Sequence, residues 1–142
     1  TDSLIQQLYF VPVGRRGRLG RRSDVERIEL TGRIGKPLIT VQGTLDVLLP
    51  VSRTADVYAR LVRGAGRGDL FRSYRVEGGT HTDALFDAFP DRLRPLVPCH
   101  RSAFTAVEDW LRTGHSPPPG RTLARPAGAD PATLLTRCPL KG

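Results

Sequence analysis

At 142 residues the chain is long enough for one domain around a single sizeable core, and 39% apolar with 25% charged residues points to a soluble globular protein. No run approaches the roughly 18 to 20 consecutive apolar residues of a membrane span, and the opening TDSLIQQLYFVPVG has neither the charged start nor the long apolar stretch of a signal peptide. The net charge of +8 can attract a polyanion, but Lys36 and Lys141 are the only lysines, and an arginine excess in a sequence rich in Ala, Gly and Pro reads rather as the mark of GC-rich coding.

Residues 1–27 carry the basic, glycine-rich run Gly14 to Arg22 and read as an irregular segment or linker. The chain starts at Thr1 and holds no methionine, which suggests a piece or a processed product of a longer protein. From Pro37 to Gln42 a short, β-branched apolar run ending at Gly43 predicts a buried strand of a parallel sheet, with Pro37 at its start where a missing N–H is tolerated. A loop, Gly43 to Pro50, follows. Ser52 is then a candidate cap for a helix with Val57, Tyr58, Leu61, Val62 and Ala65 on its apolar face, stopped by Gly64, Gly66 and Gly68. Phe71 to Val76 predicts a second strand with Tyr74 and Val76 on one face, leading into the turn Glu77 to His81.

A last helix is expected from about Pro98 to Thr113, its stripe formed by Ala103, Phe104, Val107, Trp110 and Leu111 and its stop at Gly114. Residues 116–142 form a proline-rich, loop-like tail with one short helical turn around Ala132 to Thr136. Cys99 and Cys138 lack metal or redox spacing. A disulfide tying the tail to the preceding helix is the preferred reading and would fit a secreted protein; two separate buried thiols, and a cytoplasmic setting, are the alternative. Strand, helix, strand, helix argues for an α/β layer architecture with parallel strands, and two strands are too few to complete such a sheet.

Two loops follow strands at their carboxyl ends, where open α/β sheets gather their chemistry. The first offers Asp46, the second His81, separated by one crossover helix and one strand. A carboxylate can hold an imidazole Nδ1–H and leave Nε2 to accept a proton from a nucleophile. Asp56, Asp83 and Asp87 are rivals for the acid but fall in predicted helices, and His100 and His115 read as structural or exposed. A metal site from His81, Asp83 and Asp87 matches no ligand spacing, and a mere turn cap is the lesser reading of Asp46.

The pattern Gly43-x-x-Asp46-x-x-x-Pro50, then helix, strand and Gly78-Gly-Thr-His81, resembles the acid and histidine loops of the α/β-hydrolases, whose triad runs serine, acid, histidine. The wording GKPLITVQGTLDVLLPVSRTADVYARLV and YRVEGGTHTDALFDAFPDRLRP is similar to the C-terminal ends of bacterial esterases near the tannase/feruloyl-esterase and 3-hydroxybutyrate oligomer hydrolase group, over roughly residues 28–115. The resemblance implies the C-terminal part of an α/β-hydrolase sheet, incomplete without upstream strands, with Asp46 as orienting acid and His81 as general base. It implies a small or oligomeric ester as substrate, the missing N-terminal half of the domain as partner, and no cofactor. No G-x-S-x-G occurs; Ser116 comes closest but follows His81 and lies in a proline run, so the serine and the oxyanion donors are expected upstream and the chain alone inactive. Thr82 stands where tannases place a cysteine after the histidine. A basic polyanion-binding module and a non-catalytic remnant of the fold are the competing readings, although aromatics, at 6%, are not interleaved with the arginine cluster and nucleic acid is therefore not expected.

Overall fold

The structure, a computed structural model, describes residues 28–140. The basic segment 1–27 and Lys141 thus lie outside the described residues. Within them the chain forms β1 (Leu38–Gly43), α1 (Ala55–Gly64), β2 (Phe71–Val76), α2 (Val97–Thr113), β3 (Thr122–Leu123) and α3 (Pro131–Thr136), with three short 3-10 turns between.

The three strands make one parallel sheet in the order β1-β2-β3. β1 and β2 run in register from Leu38 opposite Phe71 to Gly43 opposite Val76, so their carboxyl ends finish side by side. Alternation then sorts the side chains. Ile39, Val41, Tyr74 and Val76 pack with Leu96, Cys99 and Ala103 of the α2 side, whereas Leu38 and Phe71 pack with Tyr58, Ala59 and Val62 of α1. The helices therefore cover opposite faces. Tyr74 is fully buried, and its hydroxyl donates to Pro118 O at 2.6 Å, so the one polar atom of the central core residue is satisfied.

Three expectations change. β1 is half-buried, not buried, because among the described residues only β2 pairs with it and its other edge is bare. Ser52 caps nothing: it lies in a 3-10 turn, and α1 begins only after Thr54. The face of α2 is rotated from the predicted stripe, since Cys99, Ala103 and Trp110 are buried while Phe104 and Leu111 point outward at 64% and 56% exposure. Trp110 is covered by the guanidinium of Arg72, 4.9 Å from the ring centroid. Gly114 ends the helix in the left-handed conformation, φ 76°.

The tail contains a third strand that no sequence signal announced. β3 pairs parallel with Arg75 and Val76, and arginines hold it there. Arg94, 4% exposed, donates to Leu123 O and Ala124 O and to the Cys138 sulfur. Arg125 donates to Leu93 O and Pro90 O, and Arg121 to Leu140 O. Much of the cationic excess in this region thus serves backbone carbonyls. Burial pushes the Arg94 guanidinium down from its usual value, with Glu77 opposing and Arg125 adding to that shift. Cys99 and Cys138 form a disulfide that binds the tail to α2; a closed loop of 39 residues contributes about 4 kcal/mol in the chain-entropy picture. The bond is compatible with an oxidising compartment.

Candidate active site

The loops leaving β1 and β2 remain zipped beyond the strands. Thr44 N–H donates to Val76 O at 2.9 Å, Leu45 N–H to Gly79 O at 2.8 Å, and Gly78 N–H to Thr44 Oγ1 at 3.2 Å. This approach requires glycine on both sides. A Cβ at Gly43 would stand 2.3 Å from the carbonyl carbon and oxygen of Gly79, and one at Gly79 would meet Leu96 Cδ2 at 2.6 Å and Gly43 Cα at 2.9 Å.

Asp46 is buried, and its two oxygens divide the work. Oδ1 accepts Leu48 N–H at 3.1 Å and Leu49 N–H at 2.9 Å, folding the loop back on itself. Oδ2 faces His81 Nδ1 at 3.0 Å. Burial alone would raise the Asp46 carboxyl, but the Leu49 N–H, the His81 imidazole and Gln42 together hold it below the ordinary carboxylate range. An ionised carboxylate only accepts, so the hydrogen-bond network assigns the proton to Nδ1 and leaves the Nε2 lone pair free. The Asp46 side chain is 6% exposed and that of His81 42%: the acid is sheltered and the base faces outward.

The structure thus brings the two candidate residues together and leaves their rivals elsewhere. Asp56, on α1, pairs with Arg75 of β2. Asp83 is occupied by backbone N–H groups, and Asp87 is exposed. His115 and Ser116 are exposed beside the tail, away from the paired loops, while His100 is exposed and lines the same open groove as His81. That groove runs along the bare edge of β1 between Leu49, Val57, Leu61 and Leu96. No serine hydroxyl hydrogen-bonds His81, and no cluster of three or more metal-ligating side chains occurs, among the described residues.

Sequence reading overlooked the latch behind Asp46. Gln42, the last side chain of β1, donates through Nε2 to Leu49 O and accepts from Thr54 Oγ1 at 3.0 Å, fastening the end of the acid loop to the start of α1. A glutamine closing a mostly apolar strand is the available signal. With that latch, the site is a sheltered acid, an oriented imidazole and an open groove, an arrangement able to remove a proton from a group presented to Nε2.

Comparison with known proteins adds the missing context. The family model described as 3HB-oligomer hydrolase (3HBOH) matches residues 17–138. The D-(-)-3-hydroxybutyrate oligomer hydrolase of Cupriavidus pinatubonensis is 33% identical over 127 residues, which cover 84% of this chain and 18% of that protein. Its counterpart in Cupriavidus metallidurans is 36% identical over 115 residues, 75% of this chain and 16% of that protein. The one from Burkholderia cenocepacia is 32% identical over 133 residues, 87% and 19% respectively. The chain therefore spans less than a fifth of the length of these curated relatives. No solved structure matches it.

Proposed function

The chain belongs to the 3HB-oligomer hydrolase family, and from that premise we propose that it forms the acid-and-histidine part of a serine-dependent carboxylic ester hydrolase of α/β-hydrolase type. The observation that carries this reading is the Asp46 Oδ2–His81 Nδ1 contact of 3.0 Å, made by two loops at the carboxyl edge of a parallel sheet.

In the proposed mechanism a serine from upstream sequence approaches Nε2 of His81. The imidazole takes the hydroxyl proton as oxygen attacks the ester carbonyl, and Asp46 stabilises the imidazolium through Nδ1–H. The protonated ring then passes that proton to the departing alcohol. Water repeats the sequence on the acyl-enzyme, releasing the acid and restoring the serine. Donors for the oxyanion come from upstream loops. The bare edge of β1 is where upstream strands would continue the sheet. The substrates named for the relatives, D-(-)-3-hydroxybutyrate oligomers, are the proposed substrate class, and an oxidising or extracellular compartment is the proposed setting.

Turnover of a 3-hydroxybutyrate oligomer and of a p-nitrophenyl ester by the intact protein tests this reading, with the 142-residue chain as comparison. The intact protein should hydrolyse both, and the chain by itself should show none above the buffer rate. Ester hydrolysis by the chain alone at the intact protein's rate would refute it.

A further inference from the structure

The segment bearing His81 leaves the sheet at the end of β2 and, apart from the 3-10 turn Asp83–Leu85, regains regular structure only at α2. Its base is closed where Arg94 N–H donates to Gly78 O at 3.0 Å. Pairing with the acid loop ends at Gly79. Beyond that point His81, Thr82, Ala84 and Leu85 are all exposed. Near His81 the excursion is tied to the body by Phe86, which is buried, and by Asp83, while Arg94 and Arg125 hold its far end.

Asp83 reaches across to the start of α2. Its Oδ1 accepts Leu96 N–H at 2.6 Å and its Oδ2 accepts Val97 N–H at 2.9 Å. N–H groups at a helix start have no intrahelical acceptor, and the helix dipole favours a carboxylate there. Helix and loop are thereby joined by a two-pronged contact. Only Thr82 separates it from His81, so the backbone that carries the imidazole is fixed from below by Asp83 while the ring is fixed from the side by Asp46.

We propose that Asp83 is a positioning residue for His81, holding the imidazole in reach of both Asp46 and the attacking hydroxyl by tying its loop to the N-terminus of α2. The proposal rests on reading His81 as the general base. Its bland rival is that Asp83 serves only as a helix cap. Asp130 supplies a matched control, since its carboxylate accepts Thr133 N–H at the start of α3, remote from the paired loops.

The experiment uses the intact protein and its Asp83→Ala, Asp83→Asn, Asp83→Glu, Asp130→Ala and His81→Ala variants, assayed at a temperature where each is folded by circular dichroism. Asp83→Ala should lower kcat about tenfold to hundredfold with KM within about twofold, because misplacing a catalytic group by an ångström costs on this scale. The rate of serine labelling by a fluorophosphonate should fall in parallel. Asp83→Asn, whose amide oxygen keeps one of the two N–H contacts while its NH₂ faces the other donor, should recover only part of the loss, and Asp130→Ala should keep the native kcat. Asp83→Glu keeps the tie within reach if the alanine variant does not fold: the longer arm preserves the cap and displaces the loop, so kcat should still drop severalfold. Native kcat and labelling rate in folded Asp83→Ala or Asp83→Glu, beside an inactive His81→Ala, would overturn the positioning role alone. Full turnover in His81→Ala would overturn it together with the reading on which it rests.

Discussion

Asp46→Asn in the intact protein should lower kcat by about 10⁴ while leaving KM and the fold nearly unchanged. The isosteric amide can still fold the loop: its oxygen takes the place of Oδ1 and accepts Leu48 and Leu49 N–H. Its NH₂ then faces His81 Nδ1, and a donor there forces Nδ1 to accept and moves the ring proton to Nε2. The imidazole is held in place but in the tautomer that cannot take a proton from a hydroxyl. Stability carries a second signature. Because Asp46 is held below the ordinary carboxylate range, its ionised form stabilises the fold above the unfolded-state pKa, and that contribution is lost as pH falls through the lower folded value. The variant lacks this ionisable step, so its acid-unfolding curve should be shallower there. Steady-state kinetics and acid titration followed by circular dichroism measure both effects; native kcat in the variant would remove Asp46 from the mechanism.

Gly43→Ala should damage stability and activity together. The added carbon meets the Gly79 carbonyl at 2.3 Å, and neither partner is a flexible side chain, so the backbones must part by about an ångström to reach ordinary contact distance. That separation breaks Leu45 N–H to Gly79 O and carries Asp46 away from His81, since both sit on the separated loops. The expected losses are about 2–4 kcal/mol of stability and at least about 10²-fold in kcat. Gly64→Ala is the control: a Cβ there meets nothing within 4 Å, and the variant should match the parent in both measures. Thermal unfolding with kinetics below the lower Tm decides it, and a Gly43→Ala protein with native Tm and kcat would contradict the zipped-loop account.

Legibility in the sequence followed the range of the interaction. β2 is bounded at Phe71 and Val76 by residues whose alternation and flanks state it directly, and the acid and histidine loops are marked by glycines that the close approach demands. β3 is two residues long and carries no periodicity; Arg94, the disulfide and a core Tyr74 hydroxyl hold its neighbourhood in place, all through partners distant in sequence. The face of α2 was misjudged because Phe104 and Leu111 give a stripe as apolar as the buried one, and only the position of the sheet tells them apart. Asp83 looked like a rival acid. Its partners are 13 and 14 residues away, a reach that no capping pattern within one helix displays.

In the proposed mechanism Asp46 and His81 activate a serine supplied by upstream sequence. Its most direct test is fluorophosphonate labelling of the intact protein and of its His81→Ala variant, with the modified peptide mapped by mass spectrometry. A single labelled serine upstream of this chain is expected, with labelling that collapses in the variant. No labelling in either protein, or a labelled serine indifferent to His81, would contradict it and leave a fold whose role lies in binding.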